Sequence, residues 1–319
     1  MDSPLALTVS PVMNFPTECT ADGSLFLDEL DPKNIKQYTV VSVHGRDTKA
    51  FSVSAISDLN DIFVMNVFPS EDTVGFLVRA SKEKPGPRAP GKSPAGIASS
   101  DYHNFVAEFD RSGEYKGSVQ LPIDYVLSHL AILPSGELMV SGYDKLNNTV
   151  RLLFLKQSGE ILRSIDMPSA AEFASGSGSS GPIEADKAGR HLLGSILFTP
   201  YKSDILVWRM NSRDPILDVG PGASVREVPI HPPSGEVFVD MIPATDRWVA
   251  HFRAQTAPAD AAYSRTADSY YDLNPRDGSI SAKLVQSGDM PESLSCESGG
   301  RYLSFKTGPD NKLIVLGAE

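Results

Sequence analysis

The sequence predicts an all-β chain assembled from repeated four-stranded units, and three observations carry that expectation. First, a segment of about a dozen residues recurs, running from an apolar position through small or polar residues to Gly or Asp and then into an apolar strand. Its copies span 17–28, 66–78, 130–142, 183–195, 240–252 and 294–306. Aligned on the turn residue, they stack Gly23, Asp72, Gly136, Gly189, Asp246 and Gly300 in one column. The interval is roughly fifty residues, the period of a β-propeller blade. Second, apolar runs of strand length follow each copy, separated by turn residues. Third, 25 Gly and 24 Pro suit a fold with many tight turns.

Each copy marks the turn between the first, innermost strand of a blade and the second. The third and fourth strands are then expected at Tyr38–Val43 and Ala50–Val53 in the first blade, and at Phe105–Phe109 and Ser118–Leu121 in the second. They are expected at Val150–Leu155 and Ile161–Ile165 in the third blade, at Ile205–Met210 and Ile216–Val219 in the fourth, and at Tyr270–Leu273 and Ile280–Val285 in the fifth. Asp110–Gly113, Gln157–Gly159 and Asn274–Gly278 carry the turn chemistry that separates third from fourth strands. After Gly300 the chain holds only two further strands, Tyr302–Phe305 and Lys312–Leu316, so the last blade lacks one. An apolar N-terminal segment at about 4–10, centred on Leu5–Val9, has no blade of its own and supplies the missing strand beside Lys312–Leu316. The expectation is therefore one domain over residues 1–319, a six-bladed β-propeller of four-stranded antiparallel blades whose last blade is closed by the N-terminal strand. Closure removes exposed strand edges.

The runs Phe109-Asp110-Arg111-Ser112-Gly113 and Leu133-Pro134-Ser135-Gly136-Glu137-Leu138-Met139-Val140 resemble those of six-bladed propellers of the NHL and TolB-like kind. That resemblance extends over the chain as a repeat pattern. It implies a propeller that works as a binding module, a scaffold, or a lactonase or other hydrolase.

A net charge of -11 argues against nucleic acid as a partner, because phosphate-backbone affinity comes from clustered Lys and Arg. No apolar run approaches the roughly 20 residues of a membrane helix. The start Met1-Asp2-Ser3-Pro4-Leu5 lacks the basic and apolar regions of a signal peptide. The compartment stays open, with export among the readings. Cys19 and Cys296 share a repeat column, each four residues before its turn glycine. Equivalent positions of neighbouring blades are expected beyond disulfide reach, which predicts two separate buried thiols.

Candidate binding residues come from the long connections. Loop 81–104 joins the second and third strands of blade two and carries Lys82, Lys84, Arg88 and Lys92, with Tyr102 and His103 at its foot. Loop 254–269 is the same connection in blade five, holding Tyr263 and Arg265 next to His251 and Arg253. The stretch 169–181 leads into blade four and is a Ser/Gly-rich low-complexity segment. Connections this long in a compact repeat are functional covers or insertions. A basic loop on an acidic protein suits a small anionic ligand or another protein, bound on a face between blades two and five. Lys82, Lys84, Arg88, Tyr102, His103, His251, Arg253, Tyr263 and Arg265 form the candidate set.

The catalytic reading is weaker. There is no G-x-S-x-G nucleophile elbow, and the six histidines are scattered without ligand spacing. No catalytic residue is assigned and no cofactor is required. The alternative, which the resemblance to propeller lactonases implies, is a Ca²⁺-dependent hydrolase with oxygen ligands on the first strands. Glu18, Asn66, Glu184 and Asp240 are the candidate ligands. Counted from the turns, Glu18 and Glu184 fall in one column and Asn66 and Asp240 in the next, which places the pairs on alternate strand faces.

Overall fold

The computed structural model describes residues 5–7, 14–20, 24–30, 36–42, 48–70, 72–83, 102–123, 125–167, 196–210, 213–254, 268–286, 294–298, 301–307 and 313–318. Among the described residues, the regular secondary structure is strand apart from short 3-10 turns. Among the described residues, no helix is long and apolar enough to cross a membrane. The chain divides into two compact units, one of residues 53–198 with 221–223, the other of residues 1–52, 199–220 and 224–319.

The first of these contains two four-stranded meanders. Strands β6 (Asn60–Pro69), β7 (Thr73–Ser81), β8 (His103–Asp110) and β9 (Tyr115–Gln120) pair in chain order and antiparallel. So do β10 (Val126–Ile132), β11 (Leu138–Asp144), β12 (Thr149–Leu155) and β13 (Ile161–Asp166). Composition explains which strands are central. β11 is buried along its whole length and β7 nearly so, and β7 is rich in the β-branched, Leu and aromatic residues that fit a surface covered on both faces. The outer strand β13 is mostly exposed and β9 has no buried residue, and they carry Lys116, Arg163 and Asp166, charges that keep an edge strand from pairing with another chain. β7 approaches β10 so closely that a Cβ on Gly75 would lie 2.6 Å from Ile132 Cδ1.

The other unit holds the remaining sheets. β2 (Asn14–Cys19), β3 (Ser24–Leu30), β4 (Lys36–Ser42) and β5 (Thr48–Ser52) form one antiparallel meander. β14 (Ile196–Tyr201), which enters the unit at Thr199, is followed in the same sheet by β15 (Asp204–Arg209), β16 (Ile216–Gly220) and β17 (Ser224–Val228). β18 (Glu236–Ile242), β19 (Trp248–Ala254), β20 (Asp268–Leu273) and β21 (Ile280–Gln286) make a third meander. The last sheet has the order β1-β24-β23-β22, built from β22 (Leu294–Ser298), β23 (Arg301–Thr307), β24 (Leu313–Ala318) and the N-terminal β1 (Leu5–Leu7). Leu5, Ala6 and Leu7 pair antiparallel with Val315, Ile314 and Leu313.

Two expectations are corrected. In the fourth sheet, Ile205–Met210 and Ile216–Val219 are second and third strands rather than third and fourth. The first strand is Ile196–Tyr201, and Ser224–Val228 completes the sheet. The turn between β14 and β15 contains no glycine; Lys202 itself takes a positive φ of 53°, so the sequence carries no glycine signal there. The turn column at Gly189 lies outside the described residues.

The cysteines are also not separate thiols. Cys19 and Cys296 form a disulfide, with their Cα atoms 6.1 Å apart. The expectation of distance fails because β2 and β22, the first strands of their sheets, approach at this level to within the bridging range. The Asn274–Gly278 turn conforms to its sequence: Gly278 has φ 69°, and a Cβ there would sit 1.8 Å from the Pro229 carbonyl oxygen.

A charged cluster on the fifth sheet

A recurrent irregularity positions the polar residues. The first strands of five sheets share a register break at an equivalent place, between Pro16 and Glu18, Val64 and Asn66, Leu127 and His129, Phe238 and Asp240, and Leu294 and Cys296, and β6 carries a second between Asn60 and Phe63. A bulge adds one residue to one strand and re-aims the side chain that follows. Glu18, Asn66 and Asp240 therefore occupy one structural column together with His129 and Cys296, which corrects the alternate-face assignment. The error came from counting back from turns of unequal length.

In β18–β21 this column generates a charged cluster. Asp240 stands opposite His251, His251 opposite Tyr270, and Arg253 opposite Asp268. Strand alternation puts His251 and Arg253 on the same face of β19, so their charges are met together. His251 Nδ1 lies 3.1 Å from Asp240 Oδ1 and Nε2 lies 3.0 Å from Asp268 Oδ1. Arg253 Nε donates to the same Asp268 oxygen at 2.8 Å. The side chains of His251 and Asp268 are 6% and 7% exposed, whereas those of Asp240 and Arg253 are about one-third exposed. The imidazole stacks on Tyr270 with centroids 4.7 Å apart, a geometry that favours a cationic ring.

The electrostatics follow from these contacts. Burial by itself pushes the His251 imidazolium towards losing its proton, but Asp240 and Asp268 outweigh burial and raise the pKa to about 9. For Asp268, burial works to raise the pKa, and the hydrogen bonds and charges of His251 and Arg253 overcome it and hold the carboxyl below its ordinary value. At neutral pH the group is thus two cations and two anions. His251 is hydrogen-bonded to Asp240 through Nδ1, and its Nε2 lies within ion-pair distance of Asp268 without hydrogen-bond alignment, so the imidazole is suited to a positive charge held between two carboxylates. Below it the same face becomes apolar: Ile242, Ala244, Val249, Tyr270 and Leu294 form a buried cluster. The backbone N–H of Leu294 donates to the Tyr270 hydroxyl at 3.0 Å, tying β22 to this sheet.

The other candidate residues are placed as follows. Lys82 lies just after β7 with its ammonium 5.7 Å from the Phe105 ring centroid, and its carbonyl accepts from Asn60 Nδ2. The Tyr102 hydroxyl donates to Asp61 and its ring packs on Phe63. His103 is exposed at the start of β8. Lys84, Arg88, Lys92, Tyr263 and Arg265 lie outside the described residues, as do Glu184 and the stretch 169–181. Of loops 81–104 and 254–269, only the ends are described. Asn66 Oδ1 accepts the Leu130 N–H at 3.0 Å, Asp240 is engaged by His251, and Glu18 lies in β2. Among the described residues, no group of three or more His, Cys, Asp or Glu is arranged to hold a metal ion.

Asp268 and Tyr270 complete the cluster, and neither belongs to the candidate set read from the sequence. A signal for Asp268 existed: two basic residues two apart on a strand this apolar require acids on the neighbouring strands, because buried charge is stable only when paired.

No protein-family model and no curated protein matches the chain. Among solved structures it is similar to virginiamycin B lyase from Staphylococcus aureus, with 12% identity and a TM-score of 0.44 over 99% of this chain and 87% of that one. It is also similar to the β-propeller domain of the Trilobed protease from Pyrococcus furiosus, with 7% identity and a TM-score of 0.47 over 96% and 81% of the two chains. A protein of unknown function from Bacteroides caccae is 11% identical, with a TM-score of 0.40 over 87% of this chain and 78% of that one. None of these likenesses bears on what the cluster does.

Proposed function

We propose that residues 1–319 form one six-bladed β-propeller that works as a binding module for a small anionic ligand, recognised on the fifth blade through Arg253. The propeller reading is supported by four-stranded sheets that follow one another in chain order and by the pairing of the N-terminal strand with β24. One observation carries the ligand reading. Arg253 is anchored through Nε by the buried Asp268, its side chain is one-third exposed, and its terminal nitrogens have no hydrogen-bond partner among the described residues. A guanidinium held from behind offers its remaining donors in the planar fork that carboxylates and phosphates accept in pairs. His251 supports this role indirectly, because its fixed charge keeps Asp268 ionised and in place.

Calorimetric titration with a panel of small carboxylates and phosphomonoesters tests the proposal. At least one member is expected to bind the wild type, with binding lost in Arg253→Gln and weakened in Arg253→Lys, which keeps the charge but not the fork. Binding that survives Arg253→Gln unchanged, or no binding across the panel, contradicts it.

A further inference from the structure

We propose that the open end of the β6–β9 sheet is a binding site for a zwitterionic ligand of the α-amino-acid class, formed by Asp61, Phe63, Arg79 and Tyr102. It does not depend on the anionic-ligand reading, which concerns a different sheet. Register brings the four groups together. Phe63 stands directly opposite Arg79 and Arg79 opposite Asn104, so their side chains share one face of the sheet. Strand alternation puts Gly75 of β7 on that same face, where it is pressed against Ile132. Asn66, opposite Leu77, also faces this way, and its Oδ1 accepts the Leu130 N–H at 3.0 Å. The face is therefore sealed against β10 at Gly75 and Asn66. Towards Phe63 the seal ends, and that residue is 52% exposed.

The backbone is shaped at this opening. β6 breaks register between Asn60 and Phe63, and Asp61, inside the break, takes a φ of 50°. Few residues other than glycine adopt that region, Asp among those that do, and such strain persists where the surroundings impose it, commonly at binding sites. Here Tyr102 imposes it from the neighbouring connection. Its hydroxyl donates to Asp61 Oδ2, and its ring packs on Phe63 with centroids 6.0 Å apart. The Asp61 carboxylate raises the Tyr102 pKa, so the phenol keeps the proton that it donates. One carboxylate and two aromatic rings thus form a single surface.

The charges beside it select the ligand. Among the described residues, Asp61 has no ion pair, and the half-buried Arg79 has neither a hydrogen bond nor an ion pair. Lys82 is directed elsewhere, with its ammonium 5.7 Å from the Phe105 ring centroid and its charge acting on Asp58. An anion and a cation therefore accompany Phe63 on the same face without being spent on each other. A simple anion placed there would meet the Asp61 carboxylate, and a simple cation would meet Arg79. A free α-amino acid satisfies both: its ammonium donates to Asp61 Oδ1, its carboxylate accepts from the planar Arg79 fork, and an apolar side chain lies on Phe63 and Tyr102.

Calorimetric titration of the whole protein with L-phenylalanine, phenethylamine and 3-phenylpropionate tests the site, because the two analogues lack the carboxylate and the ammonium respectively. L-Phenylalanine is expected to bind at least about tenfold more tightly than either analogue, the loss of one charged hydrogen bond. Asp61→Asn tolerates the positive φ and keeps an acceptor for Tyr102. It is expected to weaken L-phenylalanine about tenfold without weakening 3-phenylpropionate. Arg79→Gln is expected to weaken L-phenylalanine about tenfold without weakening phenethylamine. Equal affinities for the three compounds overturn the proposal, since the contact would then be apolar only, and so does the absence of L-phenylalanine binding. Binding that survives Asp61→Asn and Arg79→Gln but is lost in Arg253→Gln assigns the ligand to the fifth sheet and also overturns it. If one variant fails to fold, the other variant and the wild-type ranking of the three compounds decide.

Discussion

In the sheet β10–β13 the residue after the bulge is His129, and it faces Ser141; in β18–β21 the equivalent residue is Asp240, and it faces His251. The two junctions share backbone geometry and each contains one imidazole, yet their charge states are opposite. His129 Nδ1 has Ser141 Oγ at 3.4 Å and the Phe198 ring nearby, and burial lowers its pKa to about 4. At His251 burial acts in the same direction, but Asp240 and Asp268 raise the pKa to about 9. Burial decides the charge of His129, whereas at His251 the neighbouring carboxylates Asp240 and Asp268 outweigh it.

The largest way to break this contrast is to remove the buried carboxylate. Asp268→Asn leaves a buried imidazolium with one anion and releases Arg253 Nε, and it is expected to destabilise the protein by about 4 kcal/mol at pH 7 in urea unfolding. His129→Gln, with no ion pair to lose, is expected to cost far less.

The second effect is on pH dependence. The His251 pKa is raised in the folded state, so its contribution is fully present below the ordinary value near 6.5 and is lost as pH rises through about 9. Stability is expected to fall by about 2 kcal/mol across that window, a value reduced for the water that reaches Asp240. His251→Gln removes the fall. His129 has the opposite sign: its pKa is lowered, so its junction weakens as pH drops from 6.5 towards 4. Urea midpoints measured from pH 4 to pH 10 separate the two slopes.

The smallest effect is expected at Asp240. Its side chain is about one-third exposed, so Asp240→Asn is expected to cost about 1 kcal/mol and to lower the His251 pKa while leaving it above 6.5. A loss equal to that of Asp268→Asn would mean that the two carboxylates are not ranked by burial.

Much of this architecture was legible because it is local. In the Asp110–Gly113 turn, Asp110 Oδ1 accepts from the backbone of Ser112 and Glu114, and Gly113 takes φ 90°. Each requirement is met by a residue type at a fixed offset. The failures lie where the determining contact is distant or the backbone departs from its residue rule. Lys202 makes a turn usually signalled by glycine, which hid the first strand of the fourth sheet. Turns of unequal length displaced Asn66 and Asp240 from the column of Glu18 when counted along the sequence. The disulfide depends on the approach of β2 to β22, which no spacing encodes. His251 and Arg253 were visible as candidates, but their role waits on Asp268, whose position is fixed by strand register.

The most direct measurement is an NMR titration of the imidazole resonances, with His251 assigned by comparison with His251→Gln. His251 is expected to remain protonated on both nitrogens at pH 7.5 and to titrate near pH 9, while His129 stays neutral at pH 6. A His251 that titrates near 6.5 would contradict the account, because the two carboxylates would then not fix its charge and the support assigned to Asp268 and Arg253 would fail.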